Sequence, residues 1–308
     1  MVSFALSVFG VDWVFLKPYI VLGLALGGVY ALSGVGVVVL YQATGVLNLA
    51  FGAIGAAGAL IAYYLVNHTS WPHWIAYLAC IVFGAVVNVV YGVLLGPAFA
   101  GRDPLVKMMG TLGLALILLG VMAWRAPAGG AFVRVLQLPT TNHRYEVFGA
   151  IVSLTQILAL TFALVLTIGT TAFLRFTKLG TAMRALASDR EITATLGVPV
   201  RRVELAAWLG SGIVCGGAGL LLADLFTSLD YTALTFLVIS SLAAALIGRL
   251  RSLWVTLAGG LAVGLLQAVV TPYASVTAYR TAAPFVLAII ALLWFGRHRT
   301  VTLSRTAG

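Results

Sequence analysis

Apolar runs of about twenty residues follow one another along almost the whole chain, separated by short polar links. Nine stand out, roughly over 19–40, 46–66, 74–99, 105–124, 151–174, 205–223, 233–247, 253–271 and 282–296, most of them close to the length a helix needs to cross a bilayer core of about 30 Å. The second is poor in bulky side chains and 233–247 is brief, so the pattern brackets roughly eight to ten spans. It predicts an all-α, polytopic membrane bundle forming a single transmembrane domain over 1–308. The first residues, MVSFALSVFGVDWVFLKPYI, carry no basic n-region and no small-residue cleavage site. They read as a short interfacial helix with Trp13 and Lys17 at headgroup level, not as a secretory signal.

One stretch breaks the pattern. Residues 175–204 carry six of the 18 basic and three of the eight acidic residues. Within it Ser188 and Glu191 have the capping-box spacing, Asp189 and Glu191 suit the positive end of a helix dipole, and Gly197 followed by Pro199 marks a stop. A short helix over 189–196 is expected, N-capped by Ser188, with Ile192 and Leu196 on one apolar face. A helix of about two turns is marginal alone. The local pattern fits both a connector lying on the bilayer surface and a segment docked against a partner.

Composition agrees with the membrane reading: 62% of residues are hydrophobic, only 8% are charged, and the mean hydropathy is +1.09. A net charge of +10 would suggest nucleic acid in a soluble chain. Here the positive-inside rule accounts for it. With 175–204 inside, alternation places Arg102, Lys107, Arg249, Arg251, Arg297, Arg299 and Arg305 inside as well. That leaves 13 basic residues inside and five outside, namely Lys17, Arg125, Arg134, Arg144 and Arg280. The N-terminus is therefore expected outside and the C-terminus inside. The largest exterior loop, 125–150, holds Pro127, Pro139 and paired glycines and reads as irregular.

The 34 glycines cluster within the spans, which predicts close helix packing with some unwound segments. No charge falls in the middle of a span, and Asn88, Gln156 and Gln267 are the deep polar side chains. A proton- or sodium-driven carrier usually carries its relay on intramembrane carboxylates or histidines, so self-powered transport is disfavoured. Asn88 and Gln267 suit bonds across helices. Cys80 and Cys215 read as packed small residues. The chain has no G-x-x-x-x-G-K-[ST] phosphate loop, so it is not expected to hydrolyse nucleotide. It has no H-E-x-x-H and no G-x-S-x-G either.

Three blocks resemble the inner-membrane permeases of branched-chain amino acid ABC importers. The first is a G-x-x-x-G-x-x-Y-A-L opening at Gly23, Gly27, Tyr30, Ala31 and Leu32, followed by N-x-A-x-G at Asn48, Ala50 and Gly52. The second is T-x-x-G-x-A-x-R-A at Thr177, Gly180, Ala182, Arg184 and Ala185, then Leu196-Gly197, then Arg202-Val203 and a glycine-rich span. The third, LTFLVISSLAAALIGRLRSLWVTLAGGLAVGLLQAVV, looks like the family's penultimate helix pair. Two regions depart: Phe51 and Ala53 replace a histidine and an acidic residue, and Gly248-Arg249-Leu250-Arg251-Ser252-Leu253 replaces a turn of small residues.

The resemblance implies a permease subunit of an ATP-driven, binding-protein-dependent importer in a bacterial inner membrane. Its partners would be two cytoplasmic ATP-binding subunits, a second permease (homologous or identical) and an exterior solute-binding protein, with membrane lipid around it and no nucleic acid. This chain would bind no cofactor; ATP and Mg would sit on the ATPase subunits. It further implies coupling to the ATPase through Arg184, Ala185, Ser188, Asp189, Glu191, Ile192, Leu196 and Gly197. The pathway would involve Asn48, Phe51, Gly52, Asn88 and Gln267, and exterior docking would fall near Asp224 and Asp230. The alternative from another class is a stand-alone secondary carrier.

Overall fold

In lipid a helix satisfies its backbone within itself, and the apolar runs are helices in the computed structural model. It describes residues 13–69, 71–98, 102–125, 143–147, 150–226, 229–236, 238–272 and 277–296. In chain order the elements are α1 (Trp13–Thr44), α2 (Phe51–His68), α3 (His73–Ala98), α4 (Pro104–Arg125), β1 (Arg144–Val147), β2 (Ala150–Ser153), α5 (Leu154–Phe176), α6 (Lys178–Ser188), α7 (Arg190–Thr195), α8 (Val200–Leu225), α9 (Tyr231–Phe236), α10 (Val238–Ile247), α11 (Leu253–Val270), a 3-10 turn (Thr277–Ala282) and α12 (Ala283–Gly296). Among the described residues seven helices, α1 to α5, α8 and α11, are long and apolar enough to cross a membrane. The expected spans 233–247 and 282–296 are shorter apolar helices, α9 with α10, and α12. The expected interfacial segment before Trp13, most of the exterior loop including Arg134, and Arg297, Arg299 and Arg305 lie outside the described residues.

Two local expectations are corrected. The end of the 125–150 loop is ordered as a hairpin, with Arg144 opposite Ser153 and Val147 opposite Ala150. The span expected from residue 151 therefore begins as strand and turns helical at Leu154. Ser153 caps it: its hydroxyl accepts from the Gln156 N–H at 3.3 Å, and the Gln156 side-chain oxygen accepts from the Ser153 N–H at 3.0 Å. This capping box puts Gln156 at the mouth of α5, not deep in the span.

Helix α1 is the axis. Of its apolar window 78% is buried, against 17% for α4. It packs on α11, α5, α8 and α10, and glycine makes the approach possible. A Cβ on Gly27 would lie 2.8 Å from the Leu261 Cα, and one on Gly260 2.5 Å from the Ala31 nitrogen. The α3–α8 seam is built likewise: a Cβ on Gly216 would lie 2.6 Å from the Cys80 carbonyl oxygen. Lipid gives helices no hydrophobic reason to associate, so close backbone approach has to supply the attraction. Cys80 and Cys215 are free and buried. Their thiols donate to the Gly216 carbonyl at 3.3 Å and the Phe51 carbonyl at 2.8 Å. On the outside of α3 every fourth residue, Leu78, Val82, Val86, Val90 and Leu94, is an exposed aliphatic, a lipid-facing stripe.

The links sort into two ends. At one, the Gln42 amide donates to the Arg251 carbonyl at 2.8 Å, joining α1 to the α10–α11 turn. At the other, the Tyr64 hydroxyl donates to the Arg125 carbonyl at 3.2 Å, joining α2 to α4. Arg102, Lys107, Arg175, Lys178, Arg184, Arg190, Arg201, Arg202, Arg249 and Arg251 belong to the first end. It is the basic end of the bundle.

Candidate functional site

The segment between α5 and α8 is built to a fixed shape. Thr177 ends α5 and starts α6, its hydroxyl accepting from the Gly180 N–H at 2.9 Å. A Cβ on Gly180 would lie 2.5 Å from the Leu174 Cα, so only glycine allows α6 to fold back so tightly. Met183 and Leu186 are buried, and α6 rests on α1 and α5. This helix was not expected from the local pattern, and it displaces the expected cap. Ser188 is the last residue of α6, and its hydroxyl donates to the Arg184 carbonyl at 3.2 Å. Asp189 is the N-cap of α7, with its carboxylate accepting from the Ile192 N–H at 2.9 Å. The N–H that Glu191 was expected to reach belongs to a residue inside α6. A carboxylate is also the stronger acceptor at a helix start.

The expected stop is where it should be. Gly197 has φ +82° with open space around it, so the left-handed conformation, not packing, selects glycine. Between the two ends Thr193 is buried, while Ile192 and Leu196 are 59% and 77% exposed. Arg184 and Glu191 are exposed and Ala185 half-buried; the Ala185 carbonyl accepts from the Asp189 N–H at 3.0 Å. An ion pair between Arg190 and Glu204 at 2.5 Å ties the start of α7 to α8. The result is a short helix fixed at both ends, presenting a bare apolar face at the basic end.

The expected pathway residues do not converge on one place. Asn48 and Asn88 meet near the basic end: the Asn48 amide donates to the Asn88 side-chain oxygen at 2.9 Å, and Asn88 donates to the Gly84 carbonyl at 2.9 Å. Asn48 also accepts from the Ala50 N–H at 3.0 Å, and the Thr111 hydroxyl accepts from the Leu49 N–H at 3.1 Å. These bonds satisfy the buried non-helical backbone between α1 and α2. Phe51 is buried, and Gly52 lies so close to the Thr235 carbonyl that no Cβ fits. Only about 10 Å³ of space remains beside them, so this part of the interior is closed.

Gln267 sits elsewhere. The Tyr30 hydroxyl donates to its side-chain oxygen at 2.8 Å, and its amide donates to the Ser240 hydroxyl at 3.3 Å. This trio lines a cavity of about 810 Å³ opening at the far end, with Phe226, Phe236 and Phe285 in its wall and Asp230 and Arg280 at its mouth. The Asp230 carboxylate accepts from the Thr232 N–H at 2.8 Å and starts α9. Asp224, half-buried near the end of α8, does not line this cavity.

Sequence reasoning missed Ser240, Arg280 and the partner of Tyr30. Tyr30 stands in the first resemblance block, but its bond to Gln267 spans 237 positions, and no local window shows it. Thr177 and Gly180 were visible as motif letters; an N-cap followed by apolar positions 183 and 186 was the signal for α6.

A sequence model of the family described as branched-chain amino acid transport system / permease component matches residues 19–292. The probable branched-chain amino acid transport permease protein LivH of Methanocaldococcus jannaschii is 28% identical over 250 residues, covering 79% of this chain and 77% of that protein. The high-affinity branched-chain amino acid transport system permease protein LivH of Escherichia coli K12 is 23% identical, covering 88% and 91%. The high-affinity permease protein BraD of Pseudomonas aeruginosa is 24% identical, covering 80% and 83%.

Proposed function

The chain belongs to the permease family of branched-chain amino acid transport systems, and from that premise we propose that it is the membrane subunit of an ATP-driven, binding-protein-dependent importer. The solute is a branched-chain or related amino acid, or a similarly small polar molecule. One observation carries the reading: α7 is capped by Asp189 and Gly197 and leaves Ile192 and Leu196 bare at the basic end of a multi-pass membrane protein. An exposed apolar face on a helix with fixed ends suits docking in a groove of another protein. The positive-inside rule puts that end in the cytoplasm, with the N-terminus outside and the C-terminus inside, and the ATPase subunits with their ATP and Mg belong there.

In this reading Arg184 to Gly197 form the coupling segment. Movement of α7 passes to α8 through the Arg190–Glu204 pair and the short 196–199 link. Helix α8 packs on α1, α2 and α3, so tilting it strains the Asn48–Asn88 junction and the closed contact of Phe51 and Gly52 with α8 and α9. The far-end cavity, with Gln267 in its wall and Asp230 at its mouth, receives solute from an exterior binding protein docked around Asp224 and Asp230. A second permease chain completes the pathway.

Extraction of the tagged chain in mild detergent, with mass spectrometry of what accompanies it, tests the assembly. A phosphate-loop ATPase and a glycine-rich second permease are expected. Recovery of the chain alone, with uptake persisting in ATP-free vesicles, would establish the carrier instead. Gly197→Asp is expected to cut uptake more than tenfold with insertion unchanged, since a β-carbon strains the left-handed cap and the charge opposes the helix dipole. Normal uptake and normal ATPase association in that variant would remove α7 from the mechanism.

A further inference from the structure

A second cavity, of about 280 Å³, lies at the basic end among α1, α3, α4, α7 and α8. Its chemistry differs from that of the far-end cavity. Lys107, Arg190 and Arg201 line it together with one acid, Glu204. Glu204 is already engaged with Arg190. Lys107 and Arg201 have no carboxylate within ion-pair distance among the described residues, so the cavity holds an uncompensated charge of two. Its floor is aromatic: Trp208 and Tyr91 pack with ring centroids 5.1 Å apart. Gly92 lets the indole lie against α3, since a Cβ there would come within 2.6 Å of the ring. Leu95 and Leu209, each next in sequence to a lining residue, are 37% and 45% exposed. Unpaired cations, an aromatic floor and adjoining exposed aliphatics at the end of a transmembrane bundle match an amphiphile with an anionic head.

We propose that this cavity binds the phosphate of an anionic phospholipid, with Lys107 and Arg201 as its charge partners and the acyl chains lying along the lipid-facing surface. Basic pockets between transmembrane helices recognise lipid headgroups in this way, and the space is many times what one water needs. A lipid seated here would touch α8 one turn from the Arg190–Glu204 pair and so brace the joint that α7 works through. The assignment does not depend on which solute the protein handles.

Native mass spectrometry decides it. The protein is purified with whatever subunits accompany it from vesicles of phosphatidylcholine mixed with phosphatidylglycerol, and the retained phosphatidylglycerol is counted. Lys107→Gln with Arg201→Gln should weaken retention about fivefold for each charge removed. The charge-keeping pair Lys107→Arg with Arg201→Lys should retain the lipid, which separates loss of charge from loss of fold. Lys178→Gln with Arg251→Gln, exposed at the same end but outside the cavity, should leave retention unchanged. Equal loss in that control pair would mean general surface attraction and would overturn the site. Unchanged retention in the Lys107 and Arg201 neutral variant would overturn it too. Displacement of the lipid by millimolar inorganic phosphate would reassign the cavity to soluble phosphate and refute the lipid assignment; retention in its presence supports it.

Discussion

The Asn48–Asn88 cluster at the basic end and the Tyr30–Gln267–Ser240 cluster beside the far-end cavity are both buried, and both bridge helices far apart in sequence. They differ in what surrounds them. Asn48 and Asn88 bond to each other and to backbone, next to a non-helical link whose amides need partners. Gln267 bonds to two hydroxyls and has about 810 Å³ of open volume beside it. A buried polar side chain with every bond directed into the protein fixes a joint. One that also faces a cavity exchanges protein partners for water or solute at little cost. The basic end therefore holds a closed polar joint between helices, and the far end a polar group open to a cavity.

Both clusters hang on α1 or its continuation, so the largest effect comes from its seam with α11. Gly260→Leu places a side chain where the Ala31 backbone already lies. It should cost about 3 kcal/mol or more and abolish monodisperse protein in detergent chromatography. The clusters themselves should part company next. Asn88→Leu leaves the Asn48 amide buried without a partner and should destabilise by about 1–3 kcal/mol, read as a lower thermal midpoint in detergent. Gln267→Leu should lower that midpoint less, because the cavity admits water to Tyr30 and Ser240, yet cut uptake about tenfold, the effect of roughly 1.4 kcal/mol. The reverse order of the two midpoints would break the distinction between the ends.

The smallest effects concern the α7 segment at the basic end. Asp189→Ala should cost about 1 kcal/mol through loss of the α7 cap, with faster amide exchange at Ile192. Ser188→Ala should stay within about 0.5 kcal/mol, because its hydroxyl only back-bonds to Arg184 within α6.

The spans were legible because run length and the absence of charge are properties of each segment by itself. The stop at Gly197 was legible for the same reason, since glycine followed shortly by proline is a local signal. The cap was misplaced by one residue because Ser188 and Asp189 both satisfy the N-cap rule. The choice between them rests on whether residue 188 still belongs to a preceding helix, which is decided by how Met183 and Leu186 pack beneath α6. Partnerships such as Tyr30 with Gln267 depend on which helices meet, and only the folded chain supplies that. The α10–α11 turn lies between these cases. Its lack of small residues was visible in sequence, but the structure shows that Arg249 and Leu250 nonetheless take φ +54°. The Gln42 amide holds the turn, at 3.4 Å from the Leu250 carbonyl and 2.8 Å from that of Arg251.

The central claim is that the bare face of α7 meets an ATP-hydrolysing subunit. Leu196→Cys in the assembled membrane complex, labelled with a benzophenone maleimide, tests it directly, because Cys80 and Cys215 are buried and escape labelling. Illumination should join this chain to a protein carrying a G-x-x-x-x-G-K-[ST] phosphate loop. An adduct formed only within this chain or with lipid, in membranes that still support uptake, would contradict the account.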